Sequence, residues 1–163
     1  MRMAFEEIVS REIDALYQGA LFLTGGAPQD AEALLAKSVR ASFRVYRTAQ
    51  IDVDAAAWLQ GRLVEDFLSG ETPVSLVPLP SFSVEAHAGL AELKRVYRAA
   101  ATVPALARAV LWLVLFRRWR HDAVIDQLSL ERSEFRDLLG YRHALVAAVM
   151  GEQGHEEWVT VAN

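Results

Sequence analysis

Cysteine is missing from the 163-residue sequence, and long hydrophobic runs are missing as well. Without thiols, the chain forms no disulfide bonds and has no thiolate chemistry. Its longest uncharged apolar run, AVLWLVLF at 109–116, is well short of the about 20 residues that a transmembrane helix needs. The sequence MRMAFEE at the start becomes charged too early for a secretory signal, so we expect a cytoplasmic protein that does not associate with membranes.

Basic residues are also scarce for a protein that binds nucleic acid by itself. The chain has 17 lysines and arginines against 21 aspartates and glutamates, a net charge of −4 and a pI near 5.6. Residues 63–93 contain no lysine or arginine. Because nucleic-acid binders use basic side chains to neutralise phosphates, this balance argues against DNA binding by the isolated chain.

The usual sequence patterns of an active site are absent too. The four histidines, at positions 87, 121, 143 and 155, do not have the spacing of metal ligands. No glycine-rich phosphate-binding loop and no nucleophile motif is present. We therefore expect neither an enzyme nor a metal, cofactor or small-molecule substrate, and we assign no catalytic residue.

Apolar residues recur at helical spacing in the first half of the chain. They predict a first helix over 4–24 and a second over 28–47. A third apolar stripe follows Asp52, which is the predicted N-cap of a third helix. These three helices predict a small helical domain over 1–69.

Prolines mark the boundary between two helical halves. Residues 70–83 contain three prolines and no basic residue, which predicts an extended linker. Helical spacing resumes over 84–150, where predicted helices at 121–128 and 133–150 flank a short turn, as in a helix-turn-helix motif. We expect 151–163 to form a mobile tail, because the helical periodicity ends there. The predicted fold class is all-α, with two small helical domains.

Four stretches of the sequence carry a family resemblance. They are LYQGALFLTGGAPQDAEALLAKSVRASFRVYR at 16–47, AAWLQGRLVEDFL at 56–68, VPALARAVLWLVLF at 103–116 and HDAVIDQLSLERSEFRDLL at 121–139. In this order they resemble the bacterial extracytoplasmic-function (ECF) sigma factors of RNA polymerase. The resemblance implies a region-2-like helical bundle, a linker and a region-4-like helix-turn-helix domain. It also implies a protein partner, either an anti-sigma factor or the RNA polymerase core, and promoter DNA only within a polymerase complex.

The second predicted helix departs from the family on its polar surface. In the family, further acidic and amide groups follow the first two acids and engage a basic surface of the polymerase. Here two acids are present, but alanines and Lys37 replace the polar groups that follow. A basic stripe then runs beside aromatic residues, which fits phosphate binding, contact with an acidic protein surface, or an ordinary solvated helix face. The candidate protein-binding residues are Asp30, Glu32, Lys37, Arg40, Phe43, Arg44, Tyr46 and Arg47.

The helices that would contact DNA also differ from the family. The family's third helix uses asparagine, basic and aromatic residues to hold an unpaired strand, whereas this chain has Gln60, Glu65 and Asp66 there. Basic positions of the recognition helix are only partly matched. The most basic cluster, RRWR at 117–120, fits either nucleic-acid binding or a helix end that cations complement. The weaker, DNA-binding candidates are Arg117, Arg118, Arg120, Arg132, Arg136, Arg142 and His143.

Two functions are compatible with these patterns. The first is a sigma-like transcription regulatory protein that acts mainly by binding an anti-sigma factor, RNA polymerase or another assembly, with degraded promoter contacts. The alternative is an active ECF sigma factor that binds core RNA polymerase and directs promoter recognition and transcription initiation. The surface of the third helix discriminates between them, because only the alternative requires that helix to hold DNA.

Overall fold

A computed structural model of the protein describes residues 4–49, 54–70 and 90–161. The chain divides into two compact units, Met1–Ser83 and Val84–Asn163. All regular secondary structure among the described residues is helical, which confirms the predicted fold class. Apart from Gly70, the predicted linker lies outside the described residues.

Within residues 4–49 and 54–70 the first unit has three helices: α1 (Phe5–Leu23), α2 (Pro28–Thr48) and α3 (Ala55–Leu68). Each helix packs against the other two, because each buries one apolar face. Gly25 and Gly26 have left-handed φ angles of 70° and 83°, which lets the chain reverse between α1 and α2. The buried core residues include Leu16, Phe22, Leu23, Leu35, Leu59, Leu63 and Val64.

The start of α3 differs from the sequence-based prediction. The side chain of Asp54 caps this helix, accepting a 3.0 Å hydrogen bond from the backbone N–H of Ala56. The predicted N-cap, Asp52, is therefore wrong, and that residue lies outside the described part of the chain. A capping carboxylate reaches only the first free N–H groups, so it has to directly precede the first helical residue, Ala55.

Between residues 90 and 161 the second unit has five α-helices: α4 (Leu90–Ala101), α5 (Ala105–Leu111), α6 (His121–Leu128), α7 (Arg132–Gly140) and α8 (Arg142–Val161). The α4 helix packs against α8, and α5 packs against α7. Between α6 and α7, Ser129 has a left-handed φ of 52° and turns the chain as in a helix-turn-helix motif. Buried residues of this unit include Tyr97, Val103, Leu111, Leu113, Val124, Phe135 and Leu145.

The end of α5 widens into a π-helical segment at Trp112–Phe116. The rings of its first and last residues stack with centroids 5.2 Å apart. Beyond it, the N–H of Arg117 donates to the carbonyl of Trp112 at 3.1 Å, and the N–H of Trp119 donates to the carbonyl of Leu113 at 2.9 Å. Arg118, between these two donors, has a left-handed φ of 55°. The wide turn therefore closes through a conformation that is strained for an arginine.

The C-terminal helices also correct two predictions. The single helix predicted over 133–150 is two helices, because α7 ends at Gly140 and α8 begins at Arg142. The sequence predicts that helical structure ends before residue 151. This prediction is wrong, because α8 continues to Val161. A glycine inside a helix costs only about 1 kcal/mol, so those of this segment do not prevent the helix from continuing. The mobility of the tail stays a prediction.

Candidate protein-binding surface

The exposed face of α2 holds most of the candidate residues. The helix buries its other face, including Ala31, Leu35 and Ser42, against α1 and α3. Two groups stand on the exposed side. Asp30 lies in the first turn and Glu32 in the second, and about 20 Å further along the axis lies a basic and apolar group. We call this group the α2 patch, and its exposed members are Arg40, Phe43, Arg44, Val45 and Arg47.

Lys37 is not part of that exposed patch. Its ammonium donates a 2.9 Å hydrogen bond to Oγ of Ser69 and a 3.4 Å one to the carbonyl of Asp66. Both acceptors belong to the C-terminal end of α3, where the helix dipole favours a cation. Lys37 therefore ties α2 to α3, which removes it from the predicted basic stripe.

Aromatic rings from all three helices of the unit support the α2 patch. The ring of Phe5 on α1 lies 5.4 Å from that of Phe43 and 5.3 Å from that of Tyr46, measured between centroids. Tyr46 in turn lies 6.3 Å from Trp58 on α3. The guanidinium of Arg47 lies over the ring of Phe43, 5.7 Å from its centroid. This cation–π contact holds one arginine of the patch in a defined position.

Sequence reasoning missed three residues at this surface. Phe5 and Trp58 support the rings from other helices, and their only sequence signal is an aromatic side chain on the inner stripe of a helix. Val45 is 38% exposed, as is Phe43. Val45 is not among the binding residues predicted from the sequence. An exposed apolar pair within an arginine-rich turn is the signal that could have found it.

At the acidic end of α2, Glu32 lies close to a tyrosine of α1. Partial burial, together with the negative charge of Glu32, raises the pKa of Tyr17 above its ordinary value. The phenol therefore keeps its proton throughout the physiological range. Asp30 and Glu32 are both exposed. They lie about 20 Å along the helix from Arg44 and Arg47, so one partner contacts both groups only if its surface is at least that long.

The α3 helix presents little that could hold a nucleic-acid strand. Gln60, in the neighbourhood where the family resemblance implies strand contacts, is completely buried. Arg62 is the one basic residue of the helix sequence. Its guanidinium lies 2.8 Å from Glu65 and 4.0 Å from Asp66. The positive charge of α3 is thus balanced within the helix itself.

The candidates for DNA contact are divided between separate places in the second unit. Arg118 and Arg120 are exposed in the loop before α6, while Arg117 is half-buried. On α7, Arg132 pairs with Asp122 of α6 at 3.2 Å, and Arg136 is exposed one turn further on. The remaining two candidates, Arg142 and His143, lie beyond the break, on α8. The recognition helix itself therefore carries only two of these cations.

In residues 4–49, 54–70 and 90–161, histidines and carboxylates form no group of three or more that could hold a metal ion. Over the same parts of the chain, every helix is too short or too polar to cross a bilayer.

Comparison with known proteins identifies the fold. No protein-family model matches the sequence, and no curated protein matches it. A solved structure does match: the co-crystal structure of the sigma factor RpoE in complex with the anti-sigma factor NepR from Bartonella quintana. The similarity covers 90% of this chain and 96% of that one, with a TM-score of 0.65 and 14% sequence identity. This chain therefore has the fold of an ECF sigma factor, which confirms the resemblance predicted from its sequence.

Proposed function

We propose that this protein is a sigma-factor-like transcription regulatory protein that works mainly by binding another protein. The observation that carries the proposal is the α2 patch, where exposed arginines surround exposed Phe43 and Val45. Arginine and aromatic side chains together are the usual composition of an interface hot spot. The expected partner is an anti-sigma factor, RNA polymerase or another assembly, and we place the protein in the cytoplasm, without catalytic activity of its own.

The charge distribution supports weakened promoter contacts. A strand-binding helix needs exposed cations and open rings, whereas the arginine of α3 is paired with acids and Gln60 is buried. Each phosphate contact that is lost lowers both the affinity for DNA and its salt dependence. We therefore expect the isolated protein not to bind single-stranded DNA appreciably at physiological salt, which fluorescence anisotropy can measure.

The test is capture of the native partner. Tagged protein purified from its own host should retain a partner that mass spectrometry identifies. The double variant Arg44→Glu/Arg47→Glu should lose this partner while its melting temperature stays nearly unchanged, because exposed charge changes usually cost less than about 0.5 kcal/mol. The matched control is Lys94→Glu/Arg98→Glu on α4, which reverses two exposed charges in the other unit and should keep the partner. Equal capture by both double variants would contradict the proposal.

The alternative function, an active ECF sigma factor, is favoured by one observation. Arg132 and Arg136 are exposed on α7, the second helix of a complete helix-turn-helix motif, as a major-groove reader requires. Core RNA polymerase from the same host, mixed with this protein, would then produce promoter-dependent transcripts. Such transcripts, together with their loss in Arg136→Ala, would replace our proposal by the alternative.

A further inference from the structure

The C-terminal half of α2 has an unusual balance of charge. From Ala33 to Ala49 the sequence contains four basic residues and no acidic one. The first of them, Lys37, is used inside the unit at the end of α3. The other three, Arg40, Arg44 and Arg47, are all exposed. This end of the helix therefore carries a local excess of positive charge in a chain whose net charge is −4.

The spacing of these arginines is regular. They follow one another at steps of four and three residues, so they stand one helical turn apart, with about 5–6 Å between neighbouring Cβ atoms. Carboxylates at the same steps on a partner helix have the same separation. Each guanidinium can bind a carboxylate through two parallel hydrogen bonds, which an ammonium cannot do.

Apolar contact is available in the middle of this row. Phe43 is 38% exposed, the guanidinium of Arg47 lies over its ring, and the ring of Phe5 contacts it at a tilted angle. Because these neighbours occupy the ring, it offers an edge for aliphatic side chains more readily than an open face for a stacked base. Val45 adds an aliphatic surface of similar exposure. The α2 patch thus suits protein better than nucleic acid.

We propose that the α2 patch binds an acidic amphipathic helix of a partner protein, with glutamates or aspartates on either side of an aliphatic stripe. This inference rests on the proposed protein-binding function and adds the chemistry of the partner. Carboxylates of that helix pair with Arg40, Arg44 and Arg47, while its aliphatic residues cover Phe43 and Val45. Complementary charge then selects an acidic partner surface and rejects a basic one.

Two synthetic peptides test the proposal. Both are fluorescein-labelled helices with the same leucine stripe; one has glutamates flanking the stripe and the other has lysines at the same positions. Fluorescence anisotropy with the full chain should show the glutamate peptide binding about tenfold more tightly, the effect of a few surface charge pairs. Its affinity should fall as NaCl is raised from about 50 to about 500 mM, since salt screens exposed charges.

Variants make the result specific to the patch. Arg44→Glu/Arg47→Glu should invert the preference, so that the lysine peptide binds more tightly, which a merely unfolded protein could not do. Phe43→Ala should weaken both peptides without changing their ratio, because the aliphatic stripe is common to both. Lys94→Glu/Arg98→Glu, the control from α4, should leave the ratio unchanged.

Any of three peptide results would overturn the inference: equal binding of the two peptides, no binding of either, or a ratio unaffected by Arg44→Glu/Arg47→Glu. Tighter binding of a single-stranded DNA oligonucleotide that the same variant abolishes would also overturn it, in favour of a nucleic-acid surface. Failure of the proposed function gives a different result, namely equal capture of the native partner by Arg44→Glu/Arg47→Glu and Lys94→Glu/Arg98→Glu. If the native partner is captured through the patch but the peptides do not differ, the protein-binding function stands and the acidic partner helix does not.

Discussion

The free energy of unfolding is expected to be about 1 kcal/mol higher for the variant Arg118→Gly than for Arg118→Ala. The reason is the left-handed backbone of Arg118, with a φ of 55°, beyond the π-helical segment. A residue with a Cβ atom loses about 1–2 kcal/mol in this conformation, whereas glycine does not. Ordering a glycine on folding costs about 0.5–1 kcal/mol more than ordering an alanine, because glycine has greater conformational freedom in the unfolded chain. Both substitutions remove the guanidinium, so their difference isolates the backbone.

Thermal unfolding followed by circular dichroism measures this difference. For a unit of the size of Val84–Asn163, 1 kcal/mol corresponds to about 4–8 °C in the melting temperature. The same pair of substitutions at Arg136, inside α7, serves as the control. There alanine should be the more stable by about 1 kcal/mol, because glycine is unfavourable inside a helix. If alanine is also the more stable residue at position 118, or if the two melt together, the left-handed turn does not exist in solution and the argument fails.

Three further predictions concern other contacts. Lys37→Met should lower the free energy of unfolding, measured by urea denaturation, by about 1 kcal/mol, because it removes a charge-assisted hydrogen bond and a cation from the end of α3. An unchanged free energy would refute the contact with Ser69. Since the pKa of Tyr17 is raised in the folded state, its contribution to stability is present below pH about 10 and lost above it. An ultraviolet titration should show this pKa falling in Glu32→Gln, and no change would exclude the influence of that carboxylate. Gly140→Ala should raise the free energy of unfolding by about 0.5–1 kcal/mol, because apart from its chain neighbours and the backbone of its own helix no atom lies within 4 Å of the added methyl group. A lower melting temperature would indicate a close contact there.

Helices with a clear apolar stripe were predictable from the sequence. The predicted ranges 4–24 and 28–47 agree with α1 and α2 to within one residue at each end. Periodicity does not fix a cap, however, because both Asp52 and Asp54 are suitable residues and the choice depends on where packing starts α3. Periodicity is also uninformative in the uniformly apolar run at 109–116, so the π-helical segment could not be seen.

The candidate site was predictable only in its local part. Arg44, Phe43 and Arg47 are neighbours on one helix, so their shared exposure follows from helical spacing. The contact of Lys37 with Ser69 joins residues 32 positions apart and depends on how α2 packs against α3. The support of Phe43 by Phe5 likewise depends on the packing of α1. Sequence spacing within one helix carries no information about such contacts between helices.

The π-helical segment also bears on how the length of this protein can vary. A hydrogen bond from residue i to i−5, as between Arg117 and Trp112, encloses one residue more than the i to i−4 bond of a regular helix. Deleting one residue within Trp112–Phe116 would convert the wide turn into an ordinary one and leave the flanking segments in register. The same deletion inside α7 would rotate the following residues by about 100° and expose the side of the helix that carries Phe135. Relatives that are one residue shorter should therefore have their gap between Leu111 and Arg117, and they should keep the same fold.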